Sequence, residues 1–233
     1  MKPKINHLWH LTEPEAIRLQ QSLATQVIKS DQLDEVRLVA GVDVAYEKCS
    51  NKLVAAVVVL DADTLNIIEA VTAQDYAQFP YISGLFSFRE LPPLIKALAK
   101  LDHSPDLIVC DGQGYAHPRR FGLACHLGVI FDVPAIGCGK TKLLGEHNEP
   151  ATERGATAPL YDKDDLIGSV VRTQNGIKPI YVSIGHRISL ATACRWVLKL
   201  SPKYRLPETT RSADQLVNAT ISKKACLTPL GCD

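Results

Sequence analysis

Two carboxylates sit where an ordinary surface acid is not expected. Asp43 lies inside Val-Ala-Gly-Val-Asp-Val-Ala-Tyr (39–46), where a charge among Val and Ala is costly unless it is paired or bound to a cation. For a lone Asp, simple alternation toward solvent is the competing reading. Asp111 closes the apolar run Leu107-Ile108-Val109-Cys110 and is followed by Gly112-Gln113-Gly114. A carboxylate there stands where a buried strand exits and backbone can approach a ligand closely. If the two strands are neighbours, Asp43 and Asp111 converge on one divalent ion. Oxygen ligands suit Mg²⁺ or Mn²⁺, which keep positions for water and phosphate, and no His/Cys cluster points to zinc. Glu90 and Asp214 are further acidic candidates, although either alone reads as a solvated helix residue.

Beside these acids lies Phe79-Pro-Tyr-Ile-Ser-Gly-Leu-Phe-Ser-Phe-Arg-Glu-Leu-Pro92, a Pro/Ser/Gly turn crowded with Tyr81, Leu85, Phe86 and Phe88 and followed at once by Glu90. A core explains the hydrophobes and leaves the turn chemistry unexplained.

The elements that must position these groups are legible in outline. Thr12-Glu-Pro-Glu15 is a capping box opening a helix to about Lys29. Val36–Tyr46, Leu53–Asp61 and Leu65–Gln74, separated by short polar turns, read as an antiparallel meander. A helix from about Phe88 to Leu101, the strand Leu107–Cys110, a helix opening at His117-Pro118 and running to about Val129, and a short strand Val133–Ile136 follow as a β-α-β-α-β half. Gly145 to Asp165 reads as a long loop. Asn175-Gly176 is a hairpin signal between Leu166–Arg172 and Pro179–Ile184. Ser189 caps a helix to Leu200, and a last helix follows Pro207-Glu208. The expected fold class is α/β, a ribonuclease H-like mixed sheet of antiparallel meander plus parallel strands flanked by helices, in a single domain spanning 1–233.

Composition narrows the partners. The 233 residues carry a net charge of +1, so a polyanion must be held by a local basic patch. Seven cysteines from Cys49 to Cys232 show no Cys-x-x-Cys spacing and read as buried free thiols in a reducing cytosol. The longest apolar run, Leu-Val-Ala-Ala-Val-Val-Val-Leu (53–60), is far short of the roughly 20 residues that cross a bilayer. A cytoplasmic monomer with no membrane partner is expected.

Six blocks, VAGVDVAY, FPYISGLFSFRELP, VCDGQGYAHPRRFGLACHLGV, PAIGCGKTKLLGE, YVSIGHRISL and RLPETTRSADQLVN, together resemble the successive signature blocks of the endonuclease V family, from about Val36 to Asn218. The resemblance implies Mg²⁺-dependent hydrolysis, with Mn²⁺ as substitute, of the second phosphodiester bond 3′ to a deaminated base, chiefly deoxyinosine in DNA, leaving 3′-hydroxyl and 5′-phosphate ends. Inosine-containing RNA is the alternative substrate. By motif, Asp43 and Asp111 would be the principal metal ligands, Glu90 an acidic partner and Asp214 a fourth acid. Two departures stand out: Asp214 replaces the His of many bacterial members, and Ser83 replaces the second proline of Pro-Tyr-Ile-Pro, which makes the turn less rigid.

Hydrolysis of a phosphodiester needs an activated water and relief of charge on the leaving oxygen, which carboxylate-held ions supply. Lys140, in Gly-Cys-Gly-Lys-Thr-Lys, is the candidate for the scissile phosphate, against the plain alternative of a solvated loop lysine. A base inspected by an enzyme must leave the duplex. Tyr81 with Ile82 would fill the gap, while Gly84, Gly112 and Gly114 let backbone close around the extruded base. His117 would contact the base pocket or a phosphate, or simply start a helix. Two rivals remain at this level: an actin-like or sugar-kinase phosphotransferase, for which the Asp-x-Gly-Thr turn is missing after Val42, and a non-cleaving reader of deaminated nucleic acid.

Overall fold

The computed structural model describes residues 1–47 and 50–225. Its thirteen elements run α1 Glu13–Ala24, β1 Leu38–Tyr46, β2 Lys52–Asp61, β3 Ile67–Tyr76, α2 Phe86–Leu98, β4 Leu107–Asp111, α3 Leu123–Phe131, β5 Ala135–Gly139, β6 Thr157–Asp162, β7 Asp165–Val171, β8 Ile180–His186, α4 Leu190–Lys199 and α5 Glu208–Ala225. The strands form one mixed sheet in the order β3-β2-β1-β4-β5-β8-β7-β6. The first three strands are the expected antiparallel meander. β1, β4 and β5 run parallel to one another, and β8, β7 and β6 complete the sheet antiparallel.

Helices cover both faces. Ala40, Val42, Ile108 and Cys110 pack toward Leu91, Leu94 and Leu98 of α2 and Leu127 of α3. Val39, Leu107 and Val109 face the other way, toward Ala193 and Val197 of α4 and Ala213 of α5. Being covered on both sides explains why Leu53 to Leu60 is a continuous apolar run rather than an alternating one. The helix α2 persists through Pro92 and Pro93. Prolines inside a helix remove backbone hydrogen bonds, and the fully buried Phe88, Leu91 and Leu94 offset that loss.

Three expectations are corrected. α1 ends at Ala24 rather than near Lys29. The segment opened by His117-Pro118 is not helical: Arg120 takes the left-handed conformation (φ 55°), and α3 starts only after Gly122, whose Cα lies so close to Gln113 that a side chain would strike its carbonyl. Arg120 pins this loop to the β6–β7 hairpin through ion pairs of 2.8 Å to Asp162 and 2.6 Å to Asp165. Finally, the loop expected from Gly145 to Asp165 contains β6, an edge strand whose inward side chains are Ala158 and Leu160. Proline is tolerated at a sheet edge, so Pro159 hid a strand instead of breaking one. Cys110, Cys125 and Cys138 are buried free thiols and Cys194 a half-buried one, whereas Cys49, Cys226 and Cys232 lie outside the described residues. Among the described residues no helix is long and apolar enough to cross a membrane.

The approach of α5 to the sheet depends on one glycine. A Cβ on Gly41 would sit 2.0 Å from the Thr209 carbonyl oxygen, so α5 lies directly against β1 there. Gly41→Ala is expected to cost about 2 kcal/mol or more in urea unfolding, in the range of overpacking substitutions. An unchanged midpoint would mean that α5 does not rest on this strand.

Candidate active site

The register of β1 and β4 pairs Val42 with Cys110, so the next step brings Asp43 beside Asp111 at the carboxyl ends of two parallel strands. Strand alternation turns both side chains to one face, the face that Gly41 opens to α5. That helix carries Asp214 to the same place. Lys140, just past β5, reaches in with its Nζ 2.5 Å from Asp111 Oδ2 and 3.9 Å from Asp214 Oδ1. Glu90 arrives from α2 on the opposite face and accepts a 2.9 Å hydrogen bond from the Tyr46 hydroxyl. The crevice beyond the carboxyl ends of parallel strands is where such sheets bind ligands.

Burial and like charge dominate the electrostatics. Burial, reinforced by the neighbouring Asp111 charge, raises Asp43 to about 7; the Val44 amide and Lys140 only partly counter this. Burial likewise lifts Glu90 to about 7, with the Tyr46 hydrogen bond pulling down and the Asp111 charge pushing up. For Lys140, burial opposes the charge, yet the bond to Asp111 and the fields of Asp214 and Asp43 hold the ammonium above its ordinary value. The donor set is all oxygen, which fits a hard divalent cation. Among the described residues no trio of acidic, His or Cys side chains is closed into a finished cage. Instead the Lys140 ammonium lies between Asp111 and Asp214, marking where positive charge is wanted.

A cavity of about 430 Å³ adjoins the acids, lined by Tyr81, Gly84, Phe86, Gly112, Gln113 and His117 among others. Tyr81 is 70% exposed and sits edge-on to Phe86, with centroids 4.6 Å apart. Ile82 turns inward against the cluster of Phe79, Leu85 and Phe88. Phe88 is therefore a packing residue. Gly84 is left-handed (φ 77°), and its carbonyl accepts from Gln20 Nε2 (3.1 Å), His117 Nε2 (3.0 Å) and Arg119 Nη2 (2.8 Å). His117 neither starts a helix nor carries charge: burial lowers it to about 4, its Nδ1 accepts from the Arg119 amide, and its Nε2 donates to Gly84. The Gly112 amide is engaged by the Cys110 and Cys138 carbonyls. Gly114 lies away from the cavity, its Cα against the Ile184 carbonyl and its amide donating to Ser183 Oγ.

Sequence reasoning missed Gln20, Tyr46 and the side chain of Gln113 as parts of this site, and it offered Arg119 only as a general phosphate contact. Gln20 is fully buried in α1 and also bonds the Phe121 carbonyl and Arg119; a Gln on an amphipathic helix gives no such signal. Tyr46 closes the Asp43 block, and that proximity was the available clue. Gln113 Nε2 donates to the Thr141 carbonyl, while its buried Oε1 has no partner.

A family model described as Endonuclease V matches residues 21–215. The chain belongs to the endonuclease V family. As a member it is a nuclease. It is 51% identical to Endonuclease V of Nostoc sp. over 213 residues, covering 91% of this chain and 96% of that one. The crystal structure of Endonuclease V from Streptomyces avermitilis superposes with a TM-score of 0.90 at 46% identity, covering 95% of this chain and 98% of that one. A third relative, Endonuclease V of Ciona intestinalis, was solved in complex with a 24mer DNA containing an inosine followed by a ribo-adenosine. It matches with a TM-score of 0.79 at 28% identity, over 91% of this chain and 98% of that one. The mixed sheet and flanking helices are thus the endonuclease V architecture.

The raised Asp43 has a consequence for stability. Its folded value of about 7 lies above the ordinary 3.8, so the folded chain binds more protons in between. That contribution is full below pH 4 and is lost as pH rises through 7. In chelator, Asp43→Asn is expected to raise the stability measured by thermal or urea unfolding at pH 8, by roughly 1–2 kcal/mol after allowing for residual solvent, and to change little at pH 4. Equal effects at both pH values would remove Asp43 from the buried acidic pair.

Proposed function

We propose that this chain is a Mg²⁺-dependent endonuclease acting on DNA that contains deaminated bases, chiefly deoxyinosine, and that it hydrolyses the second phosphodiester bond 3′ to the lesion. The observation that carries this reading is the pairing of Asp43 with Asp111 at the ends of β1 and β4, beside a cavity bordered by an exposed aromatic residue. The Ciona relative bound to inosine-containing DNA supports the substrate class.

Asp43 and Asp111, with Glu90 and Asp214 around them, would hold the cation. When bound, Mg²⁺ supplies Lewis-acid polarisation of the phosphate and relief of charge on the departing oxygen. Lys140 now neutralises Asp111. Were that charge met by a cation instead, its ammonium would be free to contact the scissile phosphate. Tyr46 fixes Glu90 by donating to one carboxylate oxygen, so the acid enters the site in one orientation. Tyr81, exposed at the cavity mouth, is placed to fill the space left by an extruded base, and Gly84 gives the turn the left-handed conformation that exposes it. Arg119, His117 and Gln20 grip the Gly84 carbonyl and hold the turn against the body of the enzyme.

Strand cleavage on matched inosine and adenine oligonucleotides, in DNA and RNA forms, with Mg²⁺ or chelator, tests the reading. A Mg²⁺-dependent nick at the second phosphodiester 3′ to inosine is expected in DNA. Preferential cutting of the RNA form would make the chain an inosine-directed ribonuclease, and binding without any nick would make it a reader. Asp43→Ala is expected to abolish cutting while binding of the inosine oligonucleotide persists; cutting near the wild-type rate would take Asp43 out of the chemistry. Tyr81→Ala is expected to lower the preference for inosine over adenine about tenfold, the size of one lost base–aromatic contact, with Mg²⁺ affinity unchanged. Equal losses on both substrates would argue against a role for Tyr81 at the base.

A further inference from the structure

We propose that Ser87 selects the base by presenting a hydrogen-bond acceptor, and that a relay of two histidines, His126 and His7, fixes it in that role. The proposal rests on reading the cavity as the base pocket. Ser87 is the second residue of α2, is 3% exposed, and lines the cavity. Its Oγ lies 2.9 Å from Nδ1 of His126, a fully buried residue of α3. His126 Nε2 lies 2.9 Å from His7 Nε2, and His7 Nδ1 lies 2.8 Å from the Leu8 carbonyl oxygen.

Donor and acceptor roles along this chain follow from its outer end. A carbonyl only accepts, so His7 Nδ1 carries a proton. Burial lowers both rings below the ordinary histidine value, and a neutral imidazole has one N–H. His7 Nε2 is therefore an acceptor, and His126 Nε2 donates to it. His126 Nδ1 is then bare, and the Ser87 hydroxyl donates its only proton to it. What remains for the cavity is an oxygen with lone pairs. The rings are clamped by Trp9, stacked on His126 at 5.7 Å, and by Phe88 and Phe121 at 5.0 and 5.1 Å.

An acceptor fixed in this way sorts bases by one hydrogen. Hypoxanthine has a proton on N1, beside its keto group, whereas adenine has a lone pair there. Uracil and cytosine differ in the same sense at N3. An oxygen that cannot donate welcomes the deaminated base and leaves the parent with two lone pairs opposed, the kind of polar mismatch that discriminates strongly in a buried site. Guanine and thymine carry the proton too, so Ser87 would separate hypoxanthine from adenine and uracil from cytosine and do nothing more.

The test compares DNA containing deoxyinosine with DNA containing deoxynebularine, a purine whose N1 is bare. Ser87→Ala is expected to lower kcat/KM for inosine about five- to tenfold, the size of one hydrogen bond, and to leave nebularine unchanged or raise it as the opposed lone pair is removed, while Ser87→Thr retains most of the inosine rate. An equal loss on both substrates, or none on inosine, would overturn the assignment. Independently, ¹⁵N–¹H correlation NMR of the histidine rings should find the His126 proton on Nε2 in the wild type and moved to Nδ1 in His7→Phe, with the inosine-to-nebularine ratio falling in that variant. A wild-type proton on Nδ1 would sink the relay. Should the wild type cut neither oligonucleotide, the nuclease reading fails, and the NMR result still decides the relay.

Discussion

Two carboxylates forced together out of water are the constraint on which the rest of this structure is arranged. Asp43 and Asp111 end adjacent parallel strands, and the charge on Asp111 adds to the cost of ionising Asp43, whose burial already disfavours it. A fold selected for stability alone would avoid this. The surrounding residues mitigate it locally, with the Val44 amide on Asp43 and the Lys140 ammonium on Asp111, without removing it. The site remains poised to favour a cation over protons.

The acids come together because backbone approaches backbone. Gly41 lets α5 lie on β1, which carries Asp214 to the strand ends, while α2 brings Glu90 from the opposite face. The same economy of space recurs at Gly114 and Gly122, where the segment between β4 and α3 threads past β8. Packing of the helices onto the sheet and assembly of the acidic site are thus one event. A disturbance of the α5 contact would be felt at the carboxylates.

Much of this was legible in the residues. The buried run of β2, the Asp at the exit of β4 and the Asn175-Gly176 turn each carry a local signal, because hydrophobic period and turn chemistry are written in neighbouring positions. β6 was not legible: two inward side chains and a proline are all an edge strand needs. The start of α3 was hidden because the left-handed Arg120 is stabilised by Asp162 and Asp165, some forty residues away. For the site, the acids stood out through their improbable surroundings. Gln20 and Arg119 did not, since a buried polar contact to a carbonyl 64 or 35 positions distant leaves no trace in local pattern. Gly112 and Gly114 were read as places where backbone meets ligand, but the amides of both are engaged within the protein itself.

Three donors from two separate segments converge on the single carbonyl oxygen of Gly84. Such a knot welds α1, the 117–121 loop and the distal half of the turn into one mechanical body. Compliance is thereby displaced to the proximal half, Pro80 to Ser83, where Tyr81 stands in solvent and Ser83 leaves the chain freer than proline would. The turn is built like a door hung on a fixed post, with any swing borne at its outer edge while the frame behind it stays true.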